Sequence, residues 1–376
     1  MLSATMLALS SSAAWSQTLP IAHVGPDFAE RGKADSIVRD LVERFRLPGV
    51  SVALARNDRL VYAAAMGWAD RDKRVPMATT TRMRLASVSK TLTSLALMTL
   101  AERGRVSLDT VVFGPTGVLG TEYGEPVFGG KKATITVRQL MQHLEGGWSN
   151  ERNDPIFDFY DLTQRALIVK TLRDRPLESR PGTAQAYSNF GYLVLGRVIE
   201  RVTGQRYEDA VRALILQPSG ASEMRIGAPR GARLAPDEAI YEGSGQDDPY
   251  WLRPDLMDSH GGWVANPLEL LRVVDRFDGR GDVPDLLPPK RLHEMTTGDA
   301  RFPGYALGWD VYRRDNWWHL GSMPGTASMV ARTENGFNWV IITNGSSASS
   351  GFTTALEVSM WKVLEAVSVW PVGEPW

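Results

Sequence analysis

Two pairs of serine and lysine in this 376-residue chain have a spacing that suits nucleophilic catalysis. The segment "SVSK" runs from Ser87 to Lys90, and the segment "SMWK" runs from Ser359 to Lys362. Residues three apart lie on the same face of a helix, so the lysine amine can reach the serine hydroxyl. A serine hydroxyl is a poor nucleophile until an adjacent base takes its proton. Either segment could therefore carry out acyl transfer, and the surrounding sequence has to decide between them.

The surroundings favour Ser87 over Ser359. Ser359 falls midway along a predicted C-terminal helix, where the helix uses its backbone N–H group. Ser87 falls at a strand-to-helix junction, where unpaired N–H groups can bind a developing oxyanion. Lys90 would sit in an apolar helix, and burial lowers the pKa of a lysine enough for it to act as a base. The competing interpretation is that Ser87 is an ordinary helix N-cap.

Two further polar motifs follow in the chain. Tyr187-Ser188-Asn189 directly precedes a predicted helix and is the one Tyr-x-Asn sequence among the ten tyrosines. His319-Leu320-Gly321 lies on a predicted strand and is followed by a turn that begins at Ser322. On that strand Trp318 and Leu320 would face away from His319, towards the core, whereas Trp317 could line the cleft.

Composition excludes several classes of chemistry. The chain has no cysteine, which removes disulfides, thiolate catalysis and Cys-ligated metals. The five histidines are scattered, without His-x-x-x-His or His-Glu-x-x-His spacing, and no phosphate or dinucleotide loop is present. The sequence therefore implies no metal and no cofactor. A net charge of −1 gives no reason to expect nucleic acid or an anionic membrane as a partner.

The N-terminal residues 1–16 resemble the apolar part of a secretory signal, with a plausible small-x-small cleavage site at Ala14 to Ser16. The basic residues that usually precede such a segment are missing. A disordered apolar tail, or a start placed downstream of the true one, would also explain this segment. We expect a periplasmic or secreted protein, and no later apolar run is long enough to span a membrane.

Strand patterns occur at both ends of the chain and helical patterns between them. Residues 49–70 alternate β-forming residues around an Asn57-Asp58 turn, which predicts a hairpin. Near the C-terminus a strand is predicted over "YALGWDVYRR", residues 305–314, and an Asn335-Gly336 turn predicts a second hairpin. Helices are predicted from Ser87 to Gly104, from Asn266 to Phe277 and from about Phe352 to Ala366. The sequence therefore predicts an α/β (α+β) fold: residues 20–86 and 256–376 form an antiparallel sheet with flanking helices, residues 87–255 form a helical insertion, and the active site lies between them.

Taken together, the three motifs resemble those of the serine β-lactamase and penicillin-binding-protein superfamily. The segments "SVSK", "YSN" and "HLG" stand in that family's order and at suitable separations. Supporting phrases such as "LPGVSVAL" and "GGWVANPLELLRVVDRF" are most similar to the class C-like branch, which includes family VIII esterases and D-aminopeptidases.

The resemblance implies a role for each motif residue. Ser87 would attack a carbonyl carbon, and Lys90 and Tyr187 would share the work of general base and acid, in an order that the sequence leaves open. Asn189 would hydrogen-bond either Lys90 or the acyl amide of the substrate. His319 and Gly321 would border the substrate, and the N–H groups of Ser87 and Ser322 would form the oxyanion hole.

The chain departs from the family pattern at two places. His319 stands where β-lactamases and peptidases often carry lysine; we expect it to be mostly neutral at pH 7 and to favour carboxylate-bearing substrates less as the pH rises from 6 to 8. The segment that commonly reads "HTSGL" is "HLEGGWSNERNDPIF" here, from His143 to Phe157. It is interpreted as a cleft wall in which Trp148 contacts substrate, or alternatively as a solvated loop.

Three functions are compatible with these residues. The leading one is hydrolysis of a small ester or amide by a serine hydrolase. A D,D-peptidase or β-lactamase acting on cell-wall peptides or β-lactams is the second. A binding protein with a vestigial site is the third, and it is disfavoured because Ser87, Lys90, Tyr187 and His319 are all present. The sequence leaves the oligomeric state open.

Overall fold

The computed structural model of the chain describes residues 19–124, 130–243, 247–280, 283–312 and 315–375. The predicted export signal, residues 1–16, lies outside the described residues. No helix in the described ranges has both the length and the apolar character that a membrane crossing requires.

The main structural element is an antiparallel sheet of eight strands drawn from both ends of the described chain. Its order is β1-β3-β2-β11-β10-β9-β8, with β4 paired to β3. These strands are β1 Ile21–Val24, β2 Gly49–Arg56, β3 Arg59–Asp70, β4 Val75–Pro76, β8 Asp310–Tyr312, β9 Asn316–Met323, β10 Thr326–Arg332 and β11 Phe337–Thr343. A second sheet contains three short strands: β5 Met83–Arg84, β6 Arg225–Ile226 and β7 Trp263–Ala265.

Helices are the main regular elements between the two groups of strands, and others flank the sheet. They are α1 Arg31–Phe45, α2 Ser89–Glu102, α3 Val137–Met141, α4 Asn150–Asn153, α5 Pro155–Asp158, α6 Gln164–Asp174, α7 Asn189–Thr203, α8 Tyr207–Val211, α9 Asp258–Gly261, α10 Pro267–Val274, α11 Pro289–Met295 and α12 Phe352–Ala366. The predicted mixed α/β fold, with an antiparallel sheet built from N- and C-terminal segments, is confirmed.

Turn chemistry explains the two hairpins that the sequence predicts. Asn57 and Asp58 both adopt positive φ, 49° and 59°, as a two-residue turn between β2 and β3 requires. Gly336, with φ of 92°, closes the turn between β10 and β11. The register pairs Val340 of β11 with Ala53 of β2, so the two hairpins join at the middle of the sheet.

The sheet is buried on both faces because its side chains alternate between two cores. Val52 and Leu54 of β2 pack in a core that includes residues of α1 and α12. Ala53 and Ala55 point the other way, into a larger core that is continuous with the inserted helices. Burial on both faces explains why these strands are apolar at nearly every position. The division into a sheet domain and a helical domain remains a proposal.

The predicted helix boundaries are largely confirmed. Gly104 follows α2 in the left-handed conformation, with φ of 67°, as a helix-terminating glycine does. Asn266 and Glu269 form a capping box at the start of α10, which ends at Val274, three residues earlier than predicted. The segment from Tyr305 to Trp309, predicted as strand, lies outside β8.

Candidate active site

Ser87 lies in a short 3₁₀ turn, Ala86–Val88, that connects β5 to α2. The Leu85 N–H donates to Trp263 O at 2.8 Å, which ties the start of the turn to β7. Ala86, directly before Ser87, has a positive φ of 48°, a conformation that costs energy for a residue with a side chain. Ser87 itself is partly exposed, whereas its neighbours on both sides are buried. The turn therefore leaves the Ser87 side chain partly accessible to solvent, although the residues around it are buried.

Lys90 is completely buried on the first turn of α2, and its ammonium group has three acceptors. Nζ donates to Ser87 Oγ at 3.1 Å, to Asn189 Oδ1 at 2.8 Å and to the backbone oxygen of His260 at 3.0 Å. The structure thus brings together Ser87, Lys90 and Asn189 from segments far apart in sequence. Of the two partners expected for Asn189, the amide oxygen contacts Lys90.

Burial changes the acid–base chemistry of Lys90. Removal of the amine from water disfavours its charged form and lowers the pKa of Lys90 to about 7, while the charge of Asp154 acts in the opposite direction. A lysine with a pKa near 7 is partly neutral at physiological pH. It can therefore accept a proton from Ser87, which an ordinary lysine could not do.

Tyr187 lies close to both Lys90 and Ser87. Its ring centroid is 4.7 Å from Lys90 Nζ, and its hydroxyl oxygen is buried without a hydrogen-bond partner of good geometry among the described residues. Burial raises the pKa of Tyr187, and the nearby Ser87 hydroxyl lowers it in part. Tyr187 is therefore a neutral phenol at pH 7, placed to give or take a proton.

The loop from His143 to Asn150 holds the Tyr187–Asn189 segment in place. The Ala186 N–H donates to His143 O at 2.9 Å, and the Asn150 N–H donates to Tyr187 O at 2.8 Å. The Ser188 N–H donates to His143 Nδ1 at 3.1 Å, so the proton of a neutral His143 ring lies on Nε2. The sequence predicts this loop only as a cleft wall, and the structure shows that it also supports the Tyr-x-Asn motif.

Glu145, in the same loop, is a fully buried carboxyl group. Burial raises the pKa of Glu145 to about 8, so the group is largely protonated at pH 7. A Cβ atom at Gly191 of α7 would lie 2.8 Å from Glu145 Oε1, so the glycine leaves the space that the carboxyl group occupies.

We expect the contribution of Glu145 to the stability of the protein to fall between pH 5 and pH 8. An acid with a raised folded-state pKa stabilises the fold below its unfolded pKa, and that contribution is lost as the pH rises through the folded pKa, here about 8. Glu145→Gln removes this titration. The free energy of unfolding of the variant should therefore rise by roughly 3 kcal/mol relative to that of the wild type between pH 5 and pH 8. Thermal melts at both pH values check this. A constant difference between the two proteins would show that Glu145 is ionised in the fold.

His319 is also buried, with 2% of its surface exposed. Its Nδ1 lies 2.8 Å from Leu320 O and its Nε2 lies 3.2 Å from Tyr305 Oη, so the neutral ring donates to the carbonyl and accepts from the phenol. Burial lowers the pKa of His319 to about 3. The expected change of its charge between pH 6 and pH 8 was wrong, because burial keeps the ring neutral over that range.

Gly321 is required by close packing. A Cβ atom at this position would lie 2.2 Å from Leu85 O and 3.1 Å from Ala86 Cβ, so β9 can approach the nucleophile turn only without a side chain here. Ser322, the next residue on β9, is exposed. This packing brings the backbone of Ser322 close to the turn that carries Ser87.

Trp148 does not line the cleft, which corrects the expectation that it contacts substrate. Its side chain is 3% exposed, its ring lies edge-on to Phe190 with centroids 4.9 Å apart, and its indole N–H donates to Arg175 O at 3.4 Å. Trp148 has a positive φ of 62°, and its neighbours Gly147 and Ser149 are buried as well. Trp317, a further aromatic candidate for the cleft, is likewise 6% exposed and packs in the core.

A cleft of about 300 Å³ opens beside Tyr187. Its lining residues are His143, Ser149, Glu151, Arg152, Glu178, Gln185, Ala186, Tyr187, Tyr305 and Asp310. Three of them are acidic, and the cationic one, Arg152, already pairs with Glu178 at 3.3 Å. The His143 to Phe157 segment therefore does form a cleft wall, through residues on either side of Trp148.

Several residues at this site carried no signal of their role in the sequence. Tyr305 and Asp310 came from a segment interpreted as strand, and Asp154 came from a loop. Asp154 precedes Pro155 as a helix N-cap does, but a cap signature says nothing about contact with a lysine. The second Ser-x-x-Lys pair lies apart from the cleft: Ser359 is in the middle of α12, and Lys362 is exposed.

One group of carboxylates among the described residues is close enough to share a cation. Oxygens of Asp58, Asp275 and Asp278 lie within 4.8 Å of one another, beside the sheet. Arg280 already donates to Asp278 at 2.9 Å, and Asn338 donates to Asp275 and Asp278 at 2.6 and 2.7 Å. None of the three aspartates lines the cleft. The hydrogen bonds from Arg280 and Asn338 explain why these three carboxylates lie close together.

Comparisons with known proteins agree with the family resemblance. A family model described as Beta-lactamase matches residues 34–358. Esterase EstB of Burkholderia gladioli is 31% identical over 246 residues, which are 62% of this chain and 60% of that protein. The human mitochondrial serine beta-lactamase-like protein LACTB is 27% identical over 54% of this chain and 48% of its own length. The chain thus spans about half to three fifths of the length of these curated relatives.

Solved structures resemble the chain over more of its length. D-amino acid amidase from Ochrobactrum anthropi SV3, complexed with L-phenylalanine amide, is 25% identical with a TM-score of 0.72 and covers 90% of this chain and 98% of its own. A penicillin-binding protein homologue from Pyrococcus abyssi, 20% identical with a TM-score of 0.73 over 89% of this chain and 77% of its own, shares the fold. Because the family model matches most of the sequence, the chain belongs to the beta-lactamase family.

Proposed function

We propose that the protein is a serine hydrolase that cleaves a small ester or amide through an acyl-enzyme on Ser87. The observation that carries this proposal is the 3.1 Å contact between Lys90 Nζ and Ser87 Oγ, next to Tyr187, which lines an open cleft. An amine with a pKa near 7, completely removed from solvent, is the base that a serine nucleophile requires.

The proposed reaction begins with the neutral form of Lys90. Its lone pair, or Tyr187 acting with it, accepts the Ser87 proton as Oγ attacks the carbonyl carbon of the substrate. The neutral phenol of Tyr187 then gives a proton to the leaving oxygen or nitrogen as the bond to it breaks, and Tyr187 takes up in exchange the proton that Lys90 received. Water attacks the acyl-enzyme in the same way, with the proton passing back through these groups, and the acid is released.

The negative charge that develops on the carbonyl oxygen needs fixed donors. We assign this role to the N–H groups of Ser87, at the first turn of a helix, and of Ser322, on β9. The tight packing of Gly321 against Leu85 and Ala86 supports this pairing, because it brings the two backbones together. Removing one such donor typically costs about 3 kcal/mol of barrier.

The charge of the cleft supports this function over the β-lactamase and D,D-peptidase alternative. Those substrates present a carboxylate, yet the lining holds Glu151, Glu178 and Asp310. Burial keeps His319 neutral, and Arg152 is exposed and paired. A carboxylate would therefore meet more negative than positive charge, whereas a neutral ester would not. A binding protein with a vestigial site is disfavoured because the Ser87, Lys90 and Tyr187 groups lie together.

We expect catalytic efficiency on a short-chain nitrophenyl ester to exceed that on a chromogenic cephalosporin by at least tenfold, about 1.4 kcal/mol in barrier. Because His319 stays neutral, the ratio should hold from pH 6 to pH 8. The measurement is kcat/KM for both substrates across that range. If the cephalosporin is turned over as well as the ester, and Arg152→Ala then abolishes that turnover, Arg152 is the carboxylate site and the β-lactamase function moves ahead.

A second candidate substrate class is an amide with a free ammonium group, such as an amino-acid amide. Asp310 lines the cleft beside Tyr187, and burial alone raises the pKa of Asp310 to about 7, with no cation beside it among the described residues. A substrate ammonium would supply that cation. The likeness to D-amino acid amidase supports this candidate. Aminoacyl nitroanilides should then react faster than acyl nitroanilides that lack the amine, and Asp310→Asn should remove the difference.

The location and partners of the protein are also proposals. We propose export to the periplasm or outside the cell on the basis of residues 1–16, with a small-molecule substrate and no nucleic acid partner. Fractionation of cells that produce the full chain tests the location.

A further inference from the structure

We propose that Asp154 is a positioning residue that holds Asn189, and through it Lys90, in the arrangement that activates Ser87. The proposal rests on the proposed function, because Lys90 must act as the base for the arrangement to matter. Asp154 does not line the cleft, so it would act through Asn189 and not on the substrate.

The contacts form a continuous relay from α5 to the nucleophile. Asp154 is 8% exposed; its Oδ1 accepts from the Ile156 N–H at 2.9 Å as the N-cap of α5. Its Oδ2 accepts from Asn189 Nδ2 at 2.8 Å. Asn189 Oδ1 in turn accepts from Lys90 Nζ at 2.8 Å. One carboxylate oxygen of Asp154 therefore caps α5, and the other accepts a hydrogen bond from the side-chain amide of Asn189.

The chemistry of the carboxylate fixes the orientation of the amide. Burial raises the pKa of Asp154, whereas the hydrogen bonds from the Ile156 N–H and from Asn189 lower it. In its ionised form the carboxylate only accepts hydrogen bonds, so Asn189 must turn its NH₂ group towards Asp154. Its oxygen then faces Lys90, as the contact requires. If the amide were reversed, its NH₂ group would face the ammonium of Lys90 and two donors would meet. Asp154 thus selects the amide orientation that keeps Lys90 directed at Ser87.

Asp154 also sets the charge balance around Lys90. The titratable groups that face the amine from neighbouring elements are His143, Tyr187, Tyr192, His260 and His319. Burial lowers the pKa of each of these histidines and raises the pKa of each tyrosine, so all of them are neutral at pH 7. The charge of Asp154 raises the pKa of Lys90 against the effect of burial. Without that charge, the pKa of Lys90 would be lower still.

The test is the pH dependence of Ser87 labelling by a fluorophosphonate in the full-length protein. Lys90 must be neutral to activate Ser87, so the wild-type labelling rate should rise between pH 6 and pH 8 to a plateau. Asp154→Asn should shift this rise by about one pH unit to lower pH, because the opposite charge is gone. It should also lower the plateau about tenfold, since the newly introduced amide would present a donor to Asn189.

Two other variants complete the design. Asp154→Ser keeps a good N-cap for α5 but offers no carboxylate to Asn189, so it should shift the rise in the same direction. Asp161→Asn removes an exposed carboxylate of the same segment, which pairs with Arg230 at 3.0 Å. This control should label as the wild type does.

The outcomes separate this proposal from the proposed function. Absence of wild-type labelling at Ser87 would refute the hydrolase mechanism itself. The role of Asp154 would be overturned if the wild type is labelled at Ser87 and a folded Asp154→Asn or Asp154→Ser protein shows the pH-dependent rise at the same pH as the wild type. If neither variant folds, as judged by thermal melting, Asp154 is a structural residue and the proposal fails.

Discussion

Replacing Ser87 by alanine is expected to abolish ester hydrolysis, with a loss in kcat on the order of 10⁴- to 10⁶-fold. The alanine has no oxygen to attack the carbonyl carbon, and Lys90 and Tyr187 then have no proton to move. The side chain is small and partly exposed, so the fold should survive the change. The measurement is turnover of a nitrophenyl ester by purified protein, with a thermal melt to confirm folding.

The matched control for this experiment is Ser359→Ala. Ser359 has the same Ser-x-x-Lys spacing, but it lies in the middle of α12, and Lys362 is exposed to solvent. Its replacement should leave turnover nearly unchanged. A folded Ser87→Ala protein that hydrolyses the ester at the wild-type rate would remove the proposed mechanism.

The second large effect is expected from Tyr187→Phe, which should lower kcat about 10²- to 10⁴-fold. The change removes only the hydroxyl group, whose oxygen is buried without a well-aligned hydrogen-bond partner among the described residues. The ring should keep its contact with His143, where the centroids are 4.3 Å apart. Steady-state kinetics on the ester, together with thermal melting, measure the effect.

Tyr192→Phe is a suitable control for the loss of a buried hydroxyl. The Tyr192 hydroxyl donates to Met141 O at 2.9 Å, and its ring centroid is 5.7 Å from Lys90 Nζ. Its removal should cost about 1 kcal/mol of stability and little activity. A loss of less than about threefold in the Tyr187→Phe protein would instead show that Tyr187 has only a structural role.

The sequence predicts the sheet, and the position of Ser87 at the start of a helix, because local rules determine both. Alternating apolar residues and the Asn57-Asp58 turn define one hairpin, and the turn that ends at Gly336 defines the other. Ser87 is separable from Ser359 because one stands at a helix start and the other in the middle of a helix, and that distinction can be read from the neighbouring residues.

The direction and environment of single side chains are harder to predict. Trp148 lies in the core and has a positive φ, neither of which the surrounding polar residues signal. His319 is neutral over a wide pH range because the structure buries it against Tyr305, and burial depends on segments distant in sequence.

The contact of Asp154 with Asn189 was also beyond sequence reasoning. It joins residues 35 positions apart, in an irregular loop and at a helix start. No periodic pattern and no characteristic spacing in the sequence predicts such a contact. The Asp-Pro pair indicates a helix cap, and the second oxygen of the carboxyl group becomes important only in the folded protein.

The most direct test of the acyl-enzyme on Ser87 is the position of a covalent label. After reaction with a fluorophosphonate and digestion with trypsin, Ser87 lies in the peptide "LASVSK", Leu85 to Lys90, which also contains Ser89. Ser89 is buried, and its oxygen accepts from the Trp263 N–H at 3.2 Å. Fragmentation by mass spectrometry should therefore place a single label on Ser87. A label on Ser89 or Ser359, or an unlabelled protein that still hydrolyses esters, would contradict the account.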